Sequence, residues 1–153
     1  MKGIHHIEVS NKWAKYHFDL YRNITLITGD SGTGKTTLFR MIADHAREGK
    51  ASGVHLSSDI PCVALTDSDW EHQLQGFQNS FVFVDEDARF VSSREFARSV
   101  SGSDNYFVLI TRDVLHELPY SVDEIYEIQT KGKKHTLKKM YSSGKAHLDD
   151  LTK

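Results

Sequence analysis

The segment Gly29-Asp30-Ser31-Gly32-Thr33-Gly34-Lys35-Thr36 sits between an apolar, β-branched run, Ile24 to Thr28, and a stretch with helical apolar spacing, Leu38 to Ala46. No other feature constrains the chain as strongly. A buried strand has to pass almost directly into a helix, through a turn whose glycines 29, 32 and 34 allow positive φ and close backbone approach.

Successive amide N–H groups in such a turn line an anion nest, and the following helix adds its positive dipole end. The spacing Gly29-x4-Gly34-Lys35-Thr36 satisfies the Walker A pattern without a substitution. Residues Gly29, Asp30, Ser31, Gly32, Thr33, Gly34, Lys35, Thr36 and Thr37 are therefore the candidate phosphate cradle. In it Lys35 reaches the β and γ phosphates and the Thr36 hydroxyl ligates Mg²⁺. A glycine-rich turn can match the pattern by accident, but the flanking strand and helix argue against that here. The expected ligands are ATP and Mg²⁺; the absence of an Asn-Lys-x-Asp segment leans away from GTP.

Alternation predicts strands at Gly3 to Val9 and Ala14 to Leu20, and a helix follows the loop from Thr36 to about Arg47, stopping at Gly49. Further strands are expected at Gly53 to Leu56, Pro61 to Thr66, Phe81 to Val84 and Tyr106 to Thr111. Two capping boxes, Ser68-x-x-Glu71 and Ser92-x-x-Glu95, open short helices. Glu124 to Thr130 and His135 to Tyr141 flank Lys131-Gly132-Lys133-Lys134 as a hairpin. Strand and helix alternate through the centre, so the expected class is α/β with a mostly parallel central sheet, N-terminal antiparallel strands and a C-terminal β-hairpin.

Phe81-Val82-Phe83-Val84 ends in Asp85-Glu86. In a parallel sheet the C-terminal strand ends line the ligand crevice. Asp85 is then placed to hold Mg²⁺, and Glu86 to orient or deprotonate an attacking water. An acidic, solvated turn is the plain alternative. A phosphotransferase would instead need an acceptor hydroxyl and an arginine-rich lid, and no lid insertion is apparent, so hydrolysis is favoured.

With both motifs in view, the chain resembles the P-loop ATPases that carry a catalytic glutamate after the Walker B aspartate, and within them a shortened ABC-type ATPase domain. "NITLITGDSGTGKTTL", "FVFVDEDARF" and "YFVLITRDVLHELPYSVDEIYEI" carry the resemblance. It implies a three-layer P-loop NTPase fold, an ATP site and ATPase activity. It also implies that Arg112 stands where such domains place a switch histidine, with Thr111 before it as a γ-phosphate or water sensor; a surface arginine at a strand end is the alternative for Arg112. Trp13 or Tyr16 occupies the region where an aromatic ring lies against adenine, though rings on strands more often pack in the core. The chain departs from that family in its length: Lys35 and Asp85 are 50 residues apart, too close for the helical subdomain, and no LSGGQ-like signature precedes the acidic strand.

One domain is expected over residues 1–153, with N-terminal strands (1–22), a nucleotide-binding core (23–118) and a C-terminal hairpin and tail (119–153). With little room for an effector domain, a protein or nucleic-acid client is expected in trans, and a homo-oligomer is open. A net charge of -2 means that nucleic-acid binding would need a local patch. The lysines at 131, 133, 134, 138 and 139 could form one, or could merely protect an edge hairpin. Arg89, Arg94 and Arg98 read as an arginine finger or as helix-surface charge. His5 and His6 point to opposite strand faces and cannot chelate together. One cysteine, Cys62, no apolar leader and no membrane-length apolar run lead to the expectation of a cytoplasmic protein without membrane insertion. A nucleotide switch with negligible turnover and a nucleoside or polynucleotide kinase are the competing functions.

Overall fold

The computed structural model describes residues 4–20, 23–28, 34–66, 69–85, 88–111, 122 and 124–142. Their elements in chain order are β1 (His5–Ser10), β2 (Lys15–Leu20), β3 (Ile24–Thr28), α1 (Lys35–Glu48), β4 (His55–Ser58), β5 (Cys62–Leu65), α2 (Trp70–Gln75), β6 (Phe81–Val84), α3 (Arg94–Ser101), β7 (Tyr106–Ile110), β8 (Glu124–Lys131) and β9 (Lys134–Ser142). Single 3-10 turns follow α1 and precede α3.

The nine strands form one sheet in the order β4-β1-β2-β9-β8-β3-β7-β6-β5. From β8 to β5 the ladders are parallel. Elsewhere β1 pairs antiparallel with both β2 and β4, and β8 with β9, while β2 and β9 run parallel over Lys15↔Lys134 and Tyr16↔His135.

This overturns the expected three-layer P-loop NTPase architecture around a mostly parallel sheet. The sheet is mixed, curls almost into a barrel, and carries three short helices among the described residues. The physical reason is the pairing of β9 with β2, which draws the N-terminal strands into the same sheet instead of leaving them as an appendage. With few helices to cover them, the apolar strand faces cover one another by curling. The curl brings the His5 ring of β1 against Phe81 of β6 and Tyr106 of β7, with centroids 5.6 and 5.2 Å away.

Inside the curl, Leu38, Met41 and Ile42 of α1 pack with Ile7, Val9, Ile27, Phe81, Phe83, Val108 and Ile110. On the other face, α2 and α3 cover Leu26, Val82, Val84, Phe107 and Leu109 with Leu74, Phe96 and Val100. Burying rings as large as Phe96 stabilises by about 1.5–3 kcal/mol each. Helix α3 is capped by Ser93, whose hydroxyl accepts from Phe96 N at 3.1 Å, and not by the expected Ser92. Ser68 lies outside the described residues, and α2 starts after Asp69 without a side-chain cap. Nor is the lysine-bearing hairpin an edge: β9 is bonded on both sides, and the sheet edges are β4 and β5. No helix among the described residues is long and apolar enough to cross a membrane.

Candidate functional site

Strand β3 is fully buried and flanked in parallel by β7 and β8. Its run of β-branched residues suits a central strand, and the glycine-rich segment beyond it ends in α1. Gly34 takes the left-handed conformation, φ 96°, which only glycine adopts without strain. Its carbonyl accepts the first helical bond, from Leu38 N at 3.0 Å, and a second from the Tyr16 hydroxyl at 2.7 Å. The first turn of α1 holds no acidic residue, which leaves its dipole end suited to an anion.

Lys35, the first helical residue, is buried at 4% exposure, whereas Thr36 and Thr37 are exposed. Thr111 donates its backbone N–H to Ile27 O at 2.9 Å, which ties the end of β7 to the end of β3. Thr28 and Thr111 are both buried there. Asp85, half-buried, follows β6 at the same edge of the sheet. Continued strand alternation assigns it to the face of Phe81 and Phe83, the face that α1 covers. The topology therefore gathers Gly34, Lys35, Asp85 and Thr111 at the C-terminal ends of neighbouring parallel strands. Gly29, Asp30, Ser31, Gly32, Thr33, Glu86 and Arg112 lie outside the described residues.

Of the two aromatic candidates, Tyr16 is buried and Trp13 is 69% exposed. The Tyr16 ring stacks on His135 of β9, with centroids 4.4 Å apart and planes 17° apart. Burial pushes the Tyr16 hydroxyl up to about 12, and a bond with the Thr37 side chain acts the other way. The phenol thus ties Gly34 and Thr37 at the start of α1 to β2. Burial also lowers the His135 pKa, and its Nδ1 shares a 2.8 Å hydrogen bond with the Thr130 hydroxyl. Sequence reasoning missed His135. Its only signal was a histidine opening a strand; the pairing of that strand with β2 joins distant parts of the chain and has no local pattern.

Arg89, Arg94 and Arg98 are exposed, and Lys131, Lys133, Lys134 and Lys138 likewise. His5 and His6 face opposite sides, with ring nitrogens bonded to Asp59 and Asp19 respectively. Among the described residues no three His, Cys, Asp or Glu side chains converge as a self-sufficient metal site. A divalent ion held by the hydroxyl of Thr36 and the carboxylate of Asp85 would complete its shell with phosphate and water, which suits Mg²⁺. Comparison with known protein families and with curated proteins finds no match for this chain.

Proposed function

We propose that the chain binds ATP with Mg²⁺, hydrolyses it, and couples hydrolysis to a protein or nucleic-acid client bound in trans. The observation that carries this reading is the local unit at the end of β3: a left-handed Gly34 opening α1, with Lys35 buried at the first helical position. The reading rests on this unit and its motif, not on overall architecture. Glycine-lined amides, a helix N-terminus and a lysine together favour a polyphosphate over a single carboxylate.

Asp85-Glu86 favours water as the acceptor. Glu86 would take a proton from a water whose oxygen bonds to the γ-phosphorus while the bond to the bridging oxygen breaks, releasing ADP and phosphate. Bound Mg²⁺ would supply charge neutralisation at the β and γ oxygens. Lys35 neutralises the same oxygens, and Thr111 is a candidate for holding the water.

The test is Glu86→Gln. The variant should retain ATP and lose phosphate release. A wild-type protein that binds ATP without any turnover would be a switch instead, and labelled product formed with a hydroxyl-bearing acceptor would make it a phosphotransferase.

A further inference from the structure

Two turns meet on the side of the sheet where β3 ends. Strand β8 runs parallel to β3, so its end at Lys131 and the following Gly132-Lys133 turn lie on that side. The β1–β2 turn, residues 11–14, is joined to it by Lys15 N donating to Lys133 O at 2.8 Å, beside the Lys15↔Lys134 pair. Lys12, Lys15, Lys131, Lys133 and Lys134 are all exposed here. Glu8 bonds Lys15 at 2.8 Å, and that bond chiefly holds its carboxyl below the usual range.

Amid these cations stands Trp13, 69% exposed, with the Lys12 ammonium 5.4 Å from its ring centroid. The turn presenting the indole is built, not loose. The Asn11 side-chain oxygen accepts from Trp13 N at 2.8 Å and Ala14 N at 2.9 Å, and Asn11 N donates to Ala14 O at 3.0 Å.

We propose that these two turns form a binding surface for single-stranded nucleic acid. The lysines match the charge of a phosphate backbone, and the fixed indole offers a face on which one base stacks. A lipid surface would call for contiguous apolar area, but among the described residues the other exposed large apolar side chains, Ile4 and Met140, lie toward the opposite ends of β1 and β9. A folded duplex would hide the base faces that Trp13 is placed to meet. As a surface this stands independently of the nucleotide site; as the client of an ATPase it rests on the proposed function.

Fluorescence anisotropy with a labelled oligothymidylate tests it. Binding at low salt should weaken as salt rises and should quench tryptophan emission. Trp13→Ala should lose about 10-fold in affinity together with the quenching. Changing Lys131, Lys133 and Lys134 together to Gln should flatten the salt slope by about 2. Circular dichroism of each variant checks that it folds. The proposal is overturned if folded wild-type protein binds no strand at low salt, if neither variant changes binding, or if phosphatidylserine vesicles bind equally well and the oligonucleotide does not displace them. ATP binding measured on the same sample separates the two readings: strand binding without ATP binding removes only the nucleotide reading, and ATP binding without strand binding removes only this surface.

Discussion

The Tyr16 hydroxyl donates to the Gly34 carbonyl at 2.7 Å, so a strand from the N-terminal part of the sheet fixes the peptide at which α1 begins. The carbonyl keeps its helical bond from Leu38, so Tyr16→Phe leaves no orphaned acceptor and should cost about 1 kcal/mol in denaturant unfolding. The same variant should bind ATP more weakly, read by titration calorimetry, because the Gly34–Lys35 peptide loses its tether.

Tyr16 also has a pH signature. Its pKa is near 10 in the unfolded chain and about 12 in the folded one, so the folded state holds the proton more tightly. This stabilisation is complete below pH 10 and is lost as pH rises toward 12. Alkaline unfolding of Tyr16→Phe should therefore fall less steeply across that window than that of the wild type.

Gly34→Ala should destabilise by about 2 kcal/mol from its left-handed φ, with a further cost from crowding. A Cβ there would lie 2.9 Å from the Tyr16 hydroxyl and 3.4 Å from His135 Cε1. Adding Tyr16→Phe removes the nearest atom, so the double variant should lose less than the two single losses combined, as a double-mutant cycle would read.

Lys35→Met keeps the aliphatic stem and removes the ammonium. ATP affinity should drop about 10–100-fold through loss of charge-assisted bonds to phosphate, with circular dichroism checking that the variant folds. Equal affinity in equilibrium dialysis would remove Lys35 from the proposed site.

Cys62 is buried, and burial pushes its thiol up to about 11. It should resist alkylation in the native protein at neutral pH and react fully in denaturant, as mass spectrometry would show.

What could be read from the sequence was local. Ile24 to Thr28 and the α1 periodicity each lie within a few residues, so this strand and this helix were legible. The α3 cap was misread by one residue because Ser92 and Ser93 are adjacent; Ser92 ends the preceding 3-10 turn, and Ser93 reaches the Phe96 amide. The overall architecture was not legible. Alternating strands and helices in the middle suggested a mostly parallel layered fold, but the pairing of Tyr16 with His135, which draws the N-terminal strands into one curled sheet, is set by register between remote segments. His135 was invisible as a site neighbour for the same reason.

The position of β9 also governs when this sheet can be completed. A ribosome delivers β1 and β2 early and β9 after the eight other strands. Until residues 134–142 emerge, one edge of β2 and one edge of β8 have no neighbour, although each is an interior strand of the finished sheet. The β2 edge therefore stands exposed while β3 to β8 are made, a state prone to pairing with other chains, and the β8 edge only until β9 follows it. The final closure joins segments distant in sequence, and long-range strand pairing of this kind is intrinsically slow. Stalling translation just before Lys134 leaves the N-terminal strands waiting for a partner that has yet to be made.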